Sequence, residues 1–380
     1  MVDYVRQMPD QGSRDMARRP GTLRRLHIDL PLFLLLILLT GYGLMVLYSA
    51  SGQNMDAVIR QARYFAVGYV AMIFAAQISL QQYARWAPWL YGLGVAILLA
   101  VEFAGVGAKG AQRWLQIGGL RFQPSEIMKI VVPLVVAWSL AARPLPPRFS
   151  AVLAALVLLA LPAGLIVIQP DLGTSLLIAA SGLFVLFLAG IGWRYIVGAV
   201  FAAAASAWPV WIYGLKDYQK QRILTMFSPE SDKLGAGWNI IQSKTAIGSG
   251  GWEGKGWLQS TQSRLDFLPE SHTDFIIAVL AEEQGLKGII LLLGLYLLIL
   301  LRGFLIGLRA QTSFGRMMAG SLTLTFFVYI FVNMGMVAGL LPVVGVPLPL
   351  VSAGGTSVVT LLAGFGILMA ISTEQQRVST

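Results

Sequence analysis

An all-α polytopic membrane protein of about ten transmembrane helices is the fold class this sequence predicts. Three observations predict it. The 380-residue chain is 56% hydrophobic and only 12% charged, with a mean hydropathy of +0.70, whereas a soluble domain carries roughly 25% charged residues. Its apolar residues fall in blocks about 20 long, enough for a helix to cross a ~30 Å hydrocarbon core. Its arginines cluster on alternate sides of those blocks, the bias that orients membrane proteins.

The blocks lie near 30–50, 62–80, 85–104, 124–141, 150–168, 172–190, 194–214, 274–301, 316–340 and 352–372. The second, fourth and sixth are the weakest, being short or interrupted by polar residues. The first is too long for a signal-peptide core and lacks a small-residue cleavage site, so it reads as a retained span. An even number of spans puts both ends on one side. The tail 1–25 carries Arg6, Arg14, Arg18, Arg19, Arg24 and Arg25, and short loops on the same side are expected to carry Arg85, Arg143, Arg148, Arg194, Arg302, Arg309 and Arg316. That side is therefore expected to be the cytoplasm. The chain then reads as a disordered cytoplasmic tail (1–25), one membrane domain (26–373) and a short cytoplasmic tail (374–380). The largest extracytoplasmic element is the loop 215–273, between spans 7 and 8.

Composition also excludes. The net charge of +10 follows from the cytoplasmic bias plus that loop, and no platform of interleaved basic and aromatic residues points to nucleic acid. The absence of cysteine rules out disulfide and thiolate chemistry. With only His27 and His272, a multi-histidine metal site is impossible.

Four extracytoplasmic constellations remain, in chain order. Residues 105–129 form a glycine-bounded turn structure with Lys109, Arg113 and Arg121, ending at Pro124-Ser125-Glu126, a helix start. Lys129 follows Glu126 by three residues, so the two share one helix face. Their pairing reads either as an ion pair holding helices together or as part of a binding site. Gln169–Thr174 is a tight turn in which Asp171 caps the next helix, holds a cation or faces an external cavity. In 215–273, Trp238, Ile240, Ile241, Ala246 and Ile247 line one side of a short interfacial helix, which the Gly248–Gly256 run then breaks. The stretch 340–357, LLPVVGVPLPLVSAGGTS, has too many prolines for a regular helix. At membrane depth it must be buried in protein or line a cavity, and its Gly354-Gly355 pair opens the last span as a candidate anion site.

The richest stretch is Phe267–Glu283, FLPESHTDFIIAVLAEE. Glu270, His272 and Asp274 stand just before an apolar helix, and Glu282 and Glu283 just inside it. Ionisable groups at a membrane boundary are costly and mark functional sites. The plainer reading of Asp274 is a cap for the eighth span; the roles of Glu282 and Glu283 stay open.

NMGMVAGLLPVVGVPLPLVSAGGTS, 333–357, resembles the signature of the SEDS family of RodA, FtsW and SpoVE proteins. The stretch 240–275 is similar to that family's large extracytoplasmic loop, most of all in its RodA branch, and PSEIMK and QPDLGT are similar to further family motifs. The resemblance covers nearly the whole chain past a long N-terminal tail. It implies a peptidoglycan glycosyltransferase of the bacterial inner membrane, with its active site facing the periplasm. Such an enzyme polymerises lipid II, a disaccharide-pentapeptide on undecaprenyl diphosphate, beside a class B penicillin-binding protein; the RodA branch serves cell elongation. The family's essential aspartate carries over to Asp274, and its acidic and lysine pair to Glu126 and Lys129.

That chemistry suits these residues. The donor brings its own diphosphate leaving group, and the acceptor hydroxyl needs only a base, here Asp274. The leaving diphosphate needs positive charge or backbone N–H groups. Lys129, Lys255, Arg264 and the Gly354-Gly355 helix start are candidates, and Glu270, His272, Ser352 and Thr356 are expected around the substrate. A divalent cation, magnesium or manganese, is a further candidate, with no ligand set legible. Two other readings stand beside the enzyme. A lipid II flippase also needs broken helices and membrane charge, but places that charge near mid-span rather than externally. A scaffold that only recruits a synthase has no need of such boundary charge.

Overall fold

The computed structural model describes residues 27–108, 111–117, 120–232, 235–261, 267–268 and 270–374. The expected tail 1–25 and the last six residues lie outside them. Helices occupy all ten expected positions: α1 (Leu30–Ala50), α2 (Met55–Gln77), α3 (Leu80–Ala104), α4 (Pro124–Ala141), α5 (Phe149–Ile168), α6 (Leu172–Leu188), α7 (Trp193–Pro209, prolonged by a π turn to Gly214), α10 (Ile276–Arg309), α11 (Ser313–Val337) and α12 (Thr356–Thr373). Eight are long and apolar enough to cross a membrane. The other two are α2, with Asp56, Arg60 and Arg63 in its first turns, and the 17-residue α6. Two further helices, α8 (Asp217–Phe227) and α9 (Ala236–Gly250), lie in the long loop.

Local chemistry starts these helices where they start. Asp29, Asn54 and Asp171 each accept a first-turn N–H, at 3.1, 3.2 and 3.2 Å, for α1, α2 and α6. Ser79 and Gln82 form a reciprocal capping box on α3, which satisfies two donors a helix end leaves orphaned. At α4, Pro124 takes the first helical position, where its missing N–H costs nothing.

Both described ends of the chain lie at one end of the bundle. His27 Nδ1 is 2.9 Å from Thr373 Oγ1, and Asp29 pairs with Arg302 at 2.6 Å. At the other end, the connection after α3 is not merely a turn. It forms a small antiparallel sheet of β1 (Val106–Ala108), β2 (Ala111–Ile117) and β3 (Leu120–Phe122), in that order, with Leu115 opposite Phe122. The central helices are closely packed, with Met72, Met128, Val132, Leu362 and Met369 fully buried. Helix α7 differs: none of its residues is buried.

The loop helix α9 departs from the interfacial helix expected at 238–247. It runs through Gly248 to Gly250, and Ile240 and Ala246 are buried against protein. Ser243 Oγ donates to the Val337 carbonyl at 2.8 Å, so the helix is seated on the bundle rather than laid on a lipid surface.

Beyond α9 the chain clasps α10. Gly285 interrupts that helix at φ 63°, ψ −158°, a region open essentially to glycine alone. The break frees carbonyls and amides that a membrane boundary cannot leave unpaired. Lys255 N and Gly256 N donate to the carbonyls of Glu282 and Glu283, both at 2.9 Å, and Leu286 N donates to Gly251 O at 2.9 Å. A Cβ on Gly285 would collide with the Gly254 amide and the Trp252 carbonyl. The glycine run of this loop thus permits backbone-to-backbone approach.

Candidate active site

The proline-rich stretch 340–355 is non-helical and is mostly buried over 346–352, with Val346, Leu348, Leu350 and Val351 each at most 3% exposed. Side chains satisfy its backbone. Tyr296 donates to Pro349 O at 2.7 Å, Ser352 Oγ accepts Leu348 N at 2.9 Å, and Gln61 Nε2 donates to Ser352 O at 3.3 Å. Ser352 therefore holds the loop's shape and does not line the cavity.

This loop walls a cavity of about 250 Å³. Helix α4 contributes Glu126 and Lys129, strand β2 contributes Arg113 and Trp114, and the start of α6 contributes Asp171 and Thr174. Tyr329 of α11, Gly345–Pro347 and Gly354–Ser357 complete the lining. A narrower apolar slot of about 40 Å³ continues between α4, α11 and α12 and shares Glu126, Lys129 and Tyr329 with it.

The charges in this cavity are paired. Lys129 Nζ is 2.6 Å from Glu126 Oε1, with both side chains under 10% exposed; the same ammonium lies 4.8 Å from the centre of the Tyr329 ring. Thr360 approaches the other Glu126 oxygen at 3.4 Å. Arg113 donates to the carbonyls of Gln169 and Pro170 and lies 3.6 Å from Asp171 Oδ2. Asp171 both caps α6 and faces the cavity, uniting two of the readings its sequence left open. The start of α12 adds donors of another kind. Its N-cap, Gly355, offers no side-chain cap, so first-turn N–H groups stay available to an anion, while Gly354 N is already bonded to Gln61 Oε1 at 3.1 Å.

Asp274 stands at the rim. A Cβ on Gly345 would lie 3.6 Å from Asp274 Oδ2, so the carboxylate sits beside a residue of the cavity wall. The N-cap position of α10 is taken by Phe275, one residue after it. Asn333 Nδ2 donates to the Asp274 carbonyl and to the Val346 carbonyl, both at 2.8 Å.

Of the residues the sequence nominated, Glu126, Lys129, Gly354, Gly355 and Thr356 line the cavity together, with Asp274 beside it. Lys255 is elsewhere: its ammonium is 2.6 Å from Glu282, whose side chain is fully buried. Ser260 and Thr261 also donate to Glu282, and Ser49 and Ser260 N to Glu283. These acids anchor the clasp to α10, which accounts for both. Glu270 accepts from Thr273 Oγ1 at 2.7 Å, His272 is exposed while its carbonyl accepts Ala353 N at 3.0 Å, and Arg264 lies outside the described residues. Sequence reading missed Trp114, Gln123, Tyr329 and Asn333 as site residues. Gln123 Nε2 donates to Asp171 Oδ2 at 3.1 Å. For Tyr329 and Asn333 a signal existed, polar groups inside an apolar span.

Comparison with known proteins agrees with this architecture. The family model for FtsW, RodA and SpoVE, described as "Cell cycle protein", matches residues 30–377. The peptidoglycan glycosyltransferase MrdB of Escherichia coli is 54% identical over 355 residues, covering 93% of this chain and 96% of that protein. A probable peptidoglycan glycosyltransferase FtsW of Geobacter metallireducens is 37% identical over 364 residues, covering 92% and 95%. A solved peptidoglycan synthase complex, described as coordinating polymerization and crosslinking, superposes with a TM-score of 0.80 at 30% identity, covering 92% of this chain and 98% of the matched one. The rod shape determining protein RodA of Thermus thermophilus superposes at 0.68 with 28% identity, covering 90% and 96%. This chain, an integral membrane protein, belongs to the FtsW, RodA and SpoVE family of cell cycle proteins.

Proposed function

We propose that this protein is a peptidoglycan glycosyltransferase that polymerises lipid II during cell elongation, with Asp274 as general base. The observation that carries the reading is the placement of the Asp274 carboxylate beside a cavity whose lining presents Lys129, Arg113 and the open start of α12. In the reaction, the acceptor sugar hydroxyl gives its proton to Asp274 and its oxygen attacks the anomeric carbon of the donor. The bond from that carbon to the diphosphate oxygen breaks as the new glycosidic bond forms. The diphosphate departs with the electron pair, toward cations and N–H groups already fixed in place, the preorganisation that lowers such barriers most. The apolar slot below is suited to the first units of the lipid chain. No three metal-ligating side chains meet among the described residues. A magnesium or manganese ion, if bound, would be held by the cavity carboxylates Asp171 and Glu126 and would supply charge neutralisation for the diphosphate.

The arginine bias supports placing the His27–Thr373 end in the cytoplasm, with the cavity facing the periplasm of an inner-membrane protein. A class B penicillin-binding protein is the proposed partner, supported by the likeness to a synthase complex that couples polymerisation to crosslinking. The flippase alternative needs charge along the translocation path. Here the paired charges stand at helix starts on one end, and the slot beneath them is walled mostly by apolar side chains.

The test is purified protein in detergent with labelled lipid II, assayed for glycan chains. Asp274→Asn is expected to lower polymerisation by ~10²-fold or more, in the range of general-base contributions. It should leave the Asn333 bond in place, because that bond is to the backbone carbonyl of residue 274. Wild-type rates in that variant reject the assignment.

A further inference from the structure

We propose that Asn333 is a positioning residue for the reaction: its side-chain amide holds the Asp274 turn against the cavity wall and so fixes where the base stands. The inference rests on the assignment of Asp274 as that base. Asn333 is fully buried, on the last turns of α11. Its Nδ2 spends both hydrogens on two carbonyls from different parts of the chain. One belongs to Asp274, in the turn that enters α10, and the other to Val346, in the proline loop, both at 2.8 Å. Two carbonyl acceptors fix the orientation of the amide, because its oxygen turned toward them would meet only acceptors.

The consequence is geometric. Val346 adjoins Gly345, which has φ 73° and faces the Asp274 carboxylate; a Cβ there would lie 3.6 Å from Oδ2. One side chain therefore bridges the backbone that carries the carboxylate and the backbone that forms the wall. The Ala353 N bond to the His272 carbonyl, 3.0 Å, ties the same two segments a second time, two residues upstream of Asp274. The segments stay joined without Asn333, but the tie at residue 274 itself is lost.

The arrangement also has a cost that packing alone does not explain. Asn333 Oδ1 is buried and accepts no hydrogen bond. A residue there only to fill space would be better apolar, since an unsatisfied buried acceptor destabilises. A base displaced by about 1 Å loses on the order of 10²-fold in rate while the rest of the cavity binds as before.

The experiment compares Asn333→Ala, which removes both donors, and Asn333→Ser, which keeps one hydroxyl donor, each assayed below its own melting transition and normalised to folded protein. The expected result is a fall in kcat of about tenfold to a hundredfold for Ala and a smaller fall for Ser. KM and the directly measured affinity for labelled lipid II should stay within about twofold of wild type. In the Asp274→Asn background, adding Asn333→Ala should lower the residual rate no further, because a residue acting through Asp274 is non-additive with it. A wild-type kcat in the folded fraction, or the same fold-loss in both backgrounds, overturns the proposal and leaves Asn333 a structural residue. If Asp274→Asn is itself fully active, the general-base reading fails instead, and the two failures are told apart by that one variant.

Discussion

At the scale of single residues, Glu126 and Lys129 pose the sharpest question, because a buried ion pair is weak evidence of stability by itself. Removing both charges from water costs several kcal/mol, and their attraction repays this only with good geometry. Here the geometry is good, 2.6 Å between charged atoms. Glu126→Ala or Lys129→Ala strands a charge in the cavity wall, a change worth about 3–5 kcal/mol when nothing compensates. Each single variant should therefore melt earlier and lose activity. The exchanged pair, Glu126→Lys with Lys129→Glu, should recover much of the melting temperature, since the charges can meet again. It should not recover the rate, because the ammonium then leaves the Tyr329 ring. Two single variants that both behave as wild type would make the pair a dispensable feature. Lys255 gives the contrasting prediction. Its charge goes to Glu282, so Lys255→Met should lower stability by about 1.5–3 kcal/mol, the usual loss for a hydrogen bond to a charged group, with KM for lipid II unchanged. A raised KM at constant melting temperature would return Lys255 to the substrate site.

At the scale of elements, the clasp between the glycine run and α10 makes its own prediction. Gly285→Ala puts a side chain where φ and ψ suit only glycine and where the Gly254 amide already stands. Backbone strain of this kind costs on the order of 1–3 kcal/mol, before the collision is counted. The variant should open the 250–261 segment to limited proteolysis while the cores of α11 and α12 stay protected; unchanged proteolysis would mean that the clasp closes without it. This element also shows what a sequence reveals and what it hides. The ten apolar blocks were legible because each is a local pattern of about 20 residues. The Glu126–Lys129 pair was legible because three residues along a helix is a fixed distance. The clasp was not, because its bonds join residues 27 to 35 positions apart and depend on a helix break that glycine permits but does not announce. For the same reason Lys255 was read as a substrate ligand: its partner Glu282 lies 27 residues on. Asn333 and Tyr329 stood out as polar groups in an apolar span, but nothing local in the sequence named their partners. Only the fold brings Asn333 to the Asp274 turn and Tyr329 to Lys129.

At the scale of the whole molecule, the arrangement of charge separates a polymerase from a transporter. Arg113, Glu126, Lys129, Asp171 and the start of α12 all gather at one end of the bundle, and the chain's described ends meet at the other, where His27 touches Thr373. A protein that carries a diphosphate across a bilayer must lower the cost of that charge along the whole path, since a charge at the bilayer centre costs at least about 2.5–3.5 kcal/mol. The slot beneath this cavity, with Ile130, Leu322, Phe326, Leu361 and Phe365 in its walls, does little of that. Proteoliposomes test the difference directly. With protein in one known orientation and lipid II confined to the leaflet on the side of the 215–273 loop, glycan should form without prior crossing. With lipid II confined to the opposite leaflet, none should form until a separate flippase is added. Asp274→Asn should abolish the product in the first arrangement and leave lipid II where it was placed. Product from the wrong leaflet in the absence of a flippase, or movement of lipid II without any glycan, would give the one-sided site a second opening and return the transporter reading to first place.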